Sequence, residues 1–277
     1  MYQNKVIRGG YSQSINMLRF PLAILVVFVH GFGADIDVAQ LHASDLTGAA
    51  VYDYIRLFGS VVIARSAVPI FFIISGYLLF RKVEEYGKQV YVGKLKKRWP
   101  SLVIPYLSWN VLIVLWTLAF KLGGILLHGK PWSGLGDYFL QNGCLHMLWD
   151  SSVWDERTTW LGVETHNSGP VLLPFWYMRD LIMMVVLSPA FYWLIKKLRF
   201  FFILLLMAVY AFDIRVAWMS GTFTAAGLFF GCGAYFAIMK QDFTDVLWKW
   251  RYAIVPLAVI LMAMQTYTGS AMGDSVS

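Results

Sequence analysis

Two ionisable residues stand inside the first apolar run of this 277-residue sequence, Arg19 and His30. At 3.6 residues per turn their spacing makes almost three whole turns, so in a helix both side chains fall on one face. They lie roughly 16 Å apart along the axis, at about 1.5 Å per residue. A permanently charged guanidinium near the cytoplasmic end of a span suits a phosphate, and an imidazole deeper on the same face suits proton transfer. An elongated ligand with a phosphorylated head and a reactive tail would bridge the two, and coenzyme A carrying an acyl thioester has that shape. Each residue also has a plainer reading: an arginine snorkels to headgroups, and a histidine packs with its nitrogens hydrogen-bonded. The shared face argues against two unrelated accidents.

Lys94, Lys96, Lys97 and Arg98 form a second cationic cluster directly before the third apolar run. Positive charge anchoring a span on the cytoplasmic side explains such a run by itself. Arg98 is the functional choice within it, being nearest the bilayer, and Pro100 and Pro105 restrict the helix entrance behind it. In the second run, Ser75-Gly76 permits close helix approach, which makes packing its role. Further along, Phe175-Trp176-Tyr177-Met178-Arg179-Asp180 follows Pro174, a residue suited to a first helical turn. Arg179 and Asp180 then lie at a depth similar to His30. Adjacent helical residues point about 100° apart, so the two need not pair with each other. Asp180 could accept the second ring proton of His30 and fix its tautomer, or belong to a structural interhelix ion pair. No metal set is read: Cys144-Leu145-His146 lacks a second ligand pair, and His42, His128 and His166 are scattered.

The elements that must position these residues are set by composition. Apolar residues make up 58% of the chain and aromatics 17%, against 14% charged. An ordinary soluble domain carries roughly 25% charged residues, so too few remain here to coat a folded body in water. Disorder and a disulfide scaffold are excluded by the same figures, since Cys144 and Cys232 are the only cysteines. Seven apolar segments remain: Ile15–Ala34, Ala67–Phe80, Leu102–Leu127, Val171–Ile195, Phe200–Phe212, Val216–Met239 and Ala253–Met264. Several approach the ~20 residues a helix needs to cross hydrocarbon, and Tyr54–Ile63 could lengthen the second. Helices are expected because lipid leaves backbone groups no other partners and no strand-like alternation is present.

The formal charge of +7 raises nucleic acid as a partner, but its distribution argues for topology instead. With the N-terminus cytoplasmic, most of the 23 basic residues fall in inside loops and most of the 16 acids in outside ones. The basic residues alone set orientation, and every second loop obeys. Arg19 and His30 interrupt the first run, so it reads as an uncleaved span and not a signal peptide. Two long loops fall outside, Asp35–Ser66 and His128–Gly169. The second carries Trp132, Trp149, Trp154, Trp160 and Tyr138, a set that suits a sugar-facing surface or an interfacial aromatic belt. The expected fold is all-α: one polytopic transmembrane bundle over residues 1–277, with about seven spans.

These residues together resemble acyltransferase family 3, integral membrane O-acyltransferases that modify bacterial surface and extracellular glycans. Arg19 and His30 reproduce the family's Arg-x10-His motif. Val68-Pro69-Ile70-Phe71-Phe72-Ile73-Ile74-Ser75-Gly76-Tyr77-Leu78-Leu79 is similar to its second-span signature. Lys97-Arg98 running into Leu102-Val103-Ile104-Pro105-Tyr106-Leu107-Ser108-Trp109-Asn110 resembles its third-span entry, and Phe175-Trp176-Tyr177-Met178-Arg179-Asp180-Leu181 recurs in many members. The resemblance covers about residues 15–240. It implies a cytoplasmic acyl-CoA donor, a glycan hydroxyl acceptor, His30 as catalytic residue and Arg19 as essential, in donor binding. Ser101 stands where some members carry a second arginine, which weakens the carry-over of donor contacts there. The family domain has more spans than are counted here, so the chain is expected to be a fragment or a shortened member.

The expectation that follows is an O-acetyltransferase of the bacterial cytoplasmic membrane, using acetyl-CoA as co-substrate and no permanently bound cofactor. Arg19, Arg98 and Lys97 would hold coenzyme A phosphates. His30 would act on the acceptor hydroxyl with Asp180 orienting it, and Arg179 and Trp176 would face the acceptor, a glycan or lipid-linked saccharide. The rival expectation is a transporter or flippase for a lipid-linked glycan, which also buries Arg, His and Asp in its spans but consumes no acyl-CoA.

Overall fold

The computed structural model describes residues 17–29, 51–52, 55–56, 58–141, 144–160, 163–212, 214, 222–241 and 243–273. His30 and the segment 30–50 therefore lie outside the described residues. The described chain is an α-helical bundle with one two-stranded hairpin. It divides into two compact units, Met1–Ile74 with Gln241–Ser277, and Ser75–Lys240.

The first unit holds α1 (Met17–Val29), a π turn at Phe58–Ile63, a 3₁₀ turn at Ala64–Ser66 and the first half of α2 (Ala67–Phe80). It also holds α10, Phe243–Gly273, which packs on the π turn. The π and 3₁₀ turns run straight into α2, so Phe58–Phe80 forms one 23-residue apolar helical stretch. Arg251 near the start of α10 is sandwiched between the Trp248 ring at 4.1 Å and the Tyr252 ring at 4.2 Å. Aromatic and cationic side chains so placed suit a membrane interface.

In the second unit, α3 (Lys88–Arg98) continues through a π turn at Trp99–Val103 into α4 (Ile104–His128). The three make one 41-residue helical stretch, so the basic cluster read as loop is helical. Pro100 removes a donor from the turn where α-pairing gives way to π-pairing. The Ser101 hydroxyl there donates back to the Lys97 and Arg98 carbonyls at 3.4 and 3.3 Å. Gly129 in the left-handed region (φ 62°) ends α4, its N–H returning to the Ile125 carbonyl.

The segment His128–Gly169, expected as a long loop, carries structure of its own. It holds α5 (Ser133–Gln141), a 3₁₀ turn at Cys144–Leu148, and a hairpin of β1 (Ser151–Trp160) and β2 (Val163–Gly169). The strands pair antiparallel from Ser151 opposite Gly169 to Trp160 opposite Val163, with an irregularity between Ser151 and Glu156. This hairpin is the one departure from the all-α expectation among the described residues.

A 3₁₀ turn at Leu173–Phe175 holding Pro174 leads into α6 (Trp176–Val186), followed by α7 (Ser188–Leu198), α8 (Phe200–Ala211) and α9 (Thr222–Ile238). The run Val171–Ile195, expected as a single span, is instead bent by 62° between α6 and α7. Helix α9 is the centre of this unit and packs on α6, α7 and α8. Its buried Gly231 lets other helices approach closely, since a Cβ there would stand 2.7 Å from Leu206 Cδ1 and 3.3 Å from Phe191 Cε1. Gly76 of α2 shows how closely: a Cβ there would stand 2.1 Å from the Phe230 carbonyl oxygen of α9. The packing role expected of Ser75-Gly76 is thus met by backbone-to-backbone contact. Among the described residues, three helical stretches are long and apolar enough to cross a membrane, or four with the bent pair counted as one; α1, α8 and α9 are shorter apolar helices.

Candidate functional site

The first part of the site is a buried ionic network at the start of α6. Met178, Arg179, Asp180 and Leu181 are all buried, so α6 is enclosed on nearly every side at this turn. Arg179 is 3% exposed and Asp180 2%. Burying two charges is costly unless each is paired and hydrogen-bonded. Arg179 Nε donates to Asp180 Oδ1 at 3.1 Å, and Thr222 Oγ1 from the first residue of α9 donates to Oδ2 at 2.6 Å. Arg179 Nη1 also donates to the Trp149 carbonyl at 3.2 Å and stands 3.6 Å from Asp150 Oδ1. One guanidinium thus ties α6 to the foot of the hairpin, while Asp180 ties α6 to α9.

Helix α4 supplies the floor of this network. The buried Tyr106 hydroxyl donates to the Leu148 carbonyl at 2.6 Å. Asn110, fully buried, accepts from the Leu172 N–H at 3.1 Å and donates to the Tyr106 carbonyl at 2.8 Å. The Val171 N–H reaches the Met147 carbonyl at 2.8 Å. Both ends of the segment 148–172 are therefore held to α4 and to each other. The Tyr106 ring meets Trp149 edge-on at 6.1 Å and stacks with Phe175 at 6.5 Å. Half-buried Trp176 stands next to Gly169, the last residue of the hairpin.

The second part is a groove of about 420 Å³ between the α3–α4 stretch and α6. Val92, Leu95, Trp99, Leu102 and Val103 form one wall and Ile182, Val185 and Val186 the other; Arg98 and Lys96 touch it with their aliphatic stems, and its lining is almost wholly apolar. The first wall follows helical spacing on one face of α3 and the π turn. Val185 stands five residues beyond Asp180 on the same helix, roughly 8 Å along its axis. A slot with so apolar a lining fits a hydrocarbon segment.

The structure brings some of the sequence-selected residues together and leaves others apart. Arg179 and Asp180 pair directly although neighbouring helical Cβ vectors diverge, because the arginine stem is long enough to fold back. Arg98 lines the groove, whereas Lys97 is exposed and does not. Arg19 lies exposed on α1, in the other compact unit. His30, and with it any pairing to Asp180, lies outside the described residues. Thr222, Asp150, Tyr106 and Asn110 were not selected as site residues from the sequence. Asn110 did carry a signal, being an amide in the middle of an apolar run.

Residues 12–275 match the acyltransferase domain family, and the chain belongs to acyltransferase family 3. It is also similar to the succinoglycan biosynthesis protein ExoH of Rhizobium meliloti (strain 1021), with 26% identity over 191 residues. That match covers 68% of this chain and 44% of ExoH. No solved structure matches the chain.

Proposed function

We propose that the chain is the membrane O-acyltransferase of a bacterial polysaccharide system. It transfers an acyl group, acetyl in the first instance, from cytoplasmic acyl-CoA to a hydroxyl of a cell-surface or extracellular glycan. One observation carries the reading: in a chain of this family, helix α6 bears both the buried Arg179–Asp180 pair and one wall of the Arg98 groove. The name of ExoH, a polysaccharide biosynthesis protein, supports the acceptor class. The long apolar helices support a membrane protein; that it is multi-pass in the cytoplasmic membrane, one domain of about seven spans with the N-terminus inside, is proposed from the distribution of basic residues along the sequence.

In this reading Arg19, Arg98 and Lys97 hold the phosphates of coenzyme A at the cytoplasmic face. The acceptor hydroxyl oxygen attacks the thioester carbonyl carbon as His30 takes its proton; the C–S bond then breaks and coenzyme A leaves, receiving the proton from His30. Asp180 orients the imidazole, held in turn by Arg179 and Thr222. Trp176, beside Gly169 at the foot of the hairpin, faces the acceptor, whereas Arg179, read from the sequence as an acceptor contact, is enclosed in its own ion pair and acts there through Asp180.

The experiment is coenzyme A thiol release in membranes containing the protein, supplied with acetyl-CoA with and without host glycan. Glycan-dependent thiol release is expected. Glycan movement across the membrane without thiol release would overturn the reading in favour of a flippase.

A further inference from the structure

The 3₁₀ turn at Cys144–Leu148 and the two residues after it carry exposed side chains on a firmly held backbone. The His146 carbonyl accepts from the Trp149 and Asp150 N–H groups at 2.8 and 2.7 Å, and the Met147 carbonyl from the Val171 N–H at 2.8 Å. The Leu148 carbonyl receives the Tyr106 hydroxyl, and the Trp149 carbonyl receives Arg179 Nη1. The Asp150 carbonyl receives His146 Nδ1 at 2.9 Å. Every carbonyl from His146 to Asp150 thus has a donor within the protein, where an exposed loop ordinarily turns its carbonyls to water. A surface so fixed meets a ligand without first having to be ordered.

Two side chains are presented on it together. The Trp149 N–H to His146 carbonyl bond is a 3₁₀ pairing, in which side chains three residues apart stand one above the other. His146 and Trp149 are both exposed, whereas Met147 between them is buried. A carbonyl oxygen only accepts, so Nδ1 of His146 carries the proton, and Nε2 of the neutral ring is left as a hydrogen-bond acceptor. Tyr106 braces the Trp149 ring edge-on. A sugar complements this pair: the apolar C–H face of a pyranose lies on an aromatic ring while its hydroxyls donate to a fixed acceptor. A tryptophan that only anchors in headgroups needs no such locked turn. The turn also adjoins the ionic network, since Arg179, the partner of Asp180, holds the Trp149 carbonyl and stands 3.6 Å from the Asp150 carboxylate.

We propose that His146 and Trp149 form a saccharide subsite on the acceptor side of the protein. The indole carries one face of a sugar ring, and His146 Nε2 accepts a hydrogen bond from a glycan hydroxyl. The inference rests on the reading of a glycan as acceptor.

The test is calorimetric titration of the detergent-purified parent, His146→Asn and Trp149→Ala with short oligosaccharides cut from the host's surface polysaccharide. Asparagine keeps an N–H for the Asp150 carbonyl and lacks the outer ring nitrogen; Trp149→Ala leaves the backbone carbonyl to Arg179 in place. Loss of one hydrogen bond predicts binding about 2- to 10-fold weaker for His146→Asn. Loss of the ring predicts binding weaker by about 10-fold or more for Trp149→Ala. In acyl-transfer assays both variants should raise the acceptor KM and leave the donor KM unchanged. A purely structural role would lower the thermal midpoint and leave the affinity of the folded protein alone. Equal affinities in parent and variants would overturn the subsite while the glycan reading stands. A parent that binds no oligosaccharide overturns the glycan reading and the subsite with it. Weakened binding in the variants of a parent that transfers no acyl group would keep the subsite and overturn the transferase.

Discussion

Thr222 Oγ1 donates a 2.6 Å hydrogen bond to Oδ2 of Asp180, across the junction of two helices 42 residues apart in sequence. The other carboxylate oxygen receives Arg179 Nε at 3.1 Å. A carboxylate gripped at both oxygens is fixed in direction and has little freedom to follow a moving partner. It serves best as a rigid acceptor for a group delivered to it, which is the role the proposed mechanism assigns toward His30.

The Thr222 hydroxyl is therefore expected to count in stability. Thr222→Val keeps the shape and removes the donor, leaving a buried carboxylate oxygen short of one bond. A loss of about 1–3 kcal/mol is expected, read as a lower thermal midpoint in detergent, whereas Thr222→Ser should stay near the parent. Equal midpoints for Val and Ser would contradict the role.

Arg179 contacts Asp180, Asp150 and the Trp149 carbonyl. A lysine keeps the charge but has no planar fork to reach all three. Thermal melts should rank parent above Arg179→Lys and Arg179→Lys above Arg179→Ala. The last leaves a buried carboxylate without its cation, at a cost of about 3–5 kcal/mol. An alanine variant as stable as the lysine one would remove the ion pair from the account.

Two glycines give opposite expectations. At Gly76 a Cβ would stand 2.1 Å from a backbone oxygen, which cannot yield as a side chain would; at Gly93, in α3, it would meet nothing within 4 Å. Gly76→Ala is expected to destabilise by about 1–3 kcal/mol or more. Gly93→Ala should stabilise by about 0.5–1 kcal/mol through the higher helix propensity of alanine. Paired thermal melts decide, and a neutral Gly76→Ala would contradict the close approach of α2 and α9.

Parts of this architecture were legible in the residues and parts were not. Hydrophobicity marks α2 to the residue, Ala67–Phe80, because Ser66 and Arg81 flank an apolar run whose polar members are Ser75 and Tyr77. The same measure read straight through Leu187, since it does not register the N–H that Pro189 lacks. It also passed over Thr222, whose one hydroxyl barely changes the character of its run and whose partner is set by tertiary packing. The hairpin at Ser151–Gly169 went unread because its polar residues carry no alternation of the kind a buried strand shows. Helix geometry alone leaves the Arg179–Asp180 pair open, because it follows Cβ directions and not the reach of a long side chain.

Topology has a probe already in the chain. Cys144 is exposed in the segment placed outside, whereas Cys232 is partly buried within α9. A membrane-impermeant maleimide applied to intact cells should label the parent and not Cys144→Ser. Labelling only after permeabilisation would invert the orientation.

The central claim is that His30 carries covalent acyl transfer. Membranes with matched amounts of folded parent or His30→Ala would be given acetyl-CoA labelled in the acetyl group, with host glycan as acceptor, and label in the glycan counted. The account predicts labelled glycan with the parent and background with the variant. Equal labelling by both would contradict it.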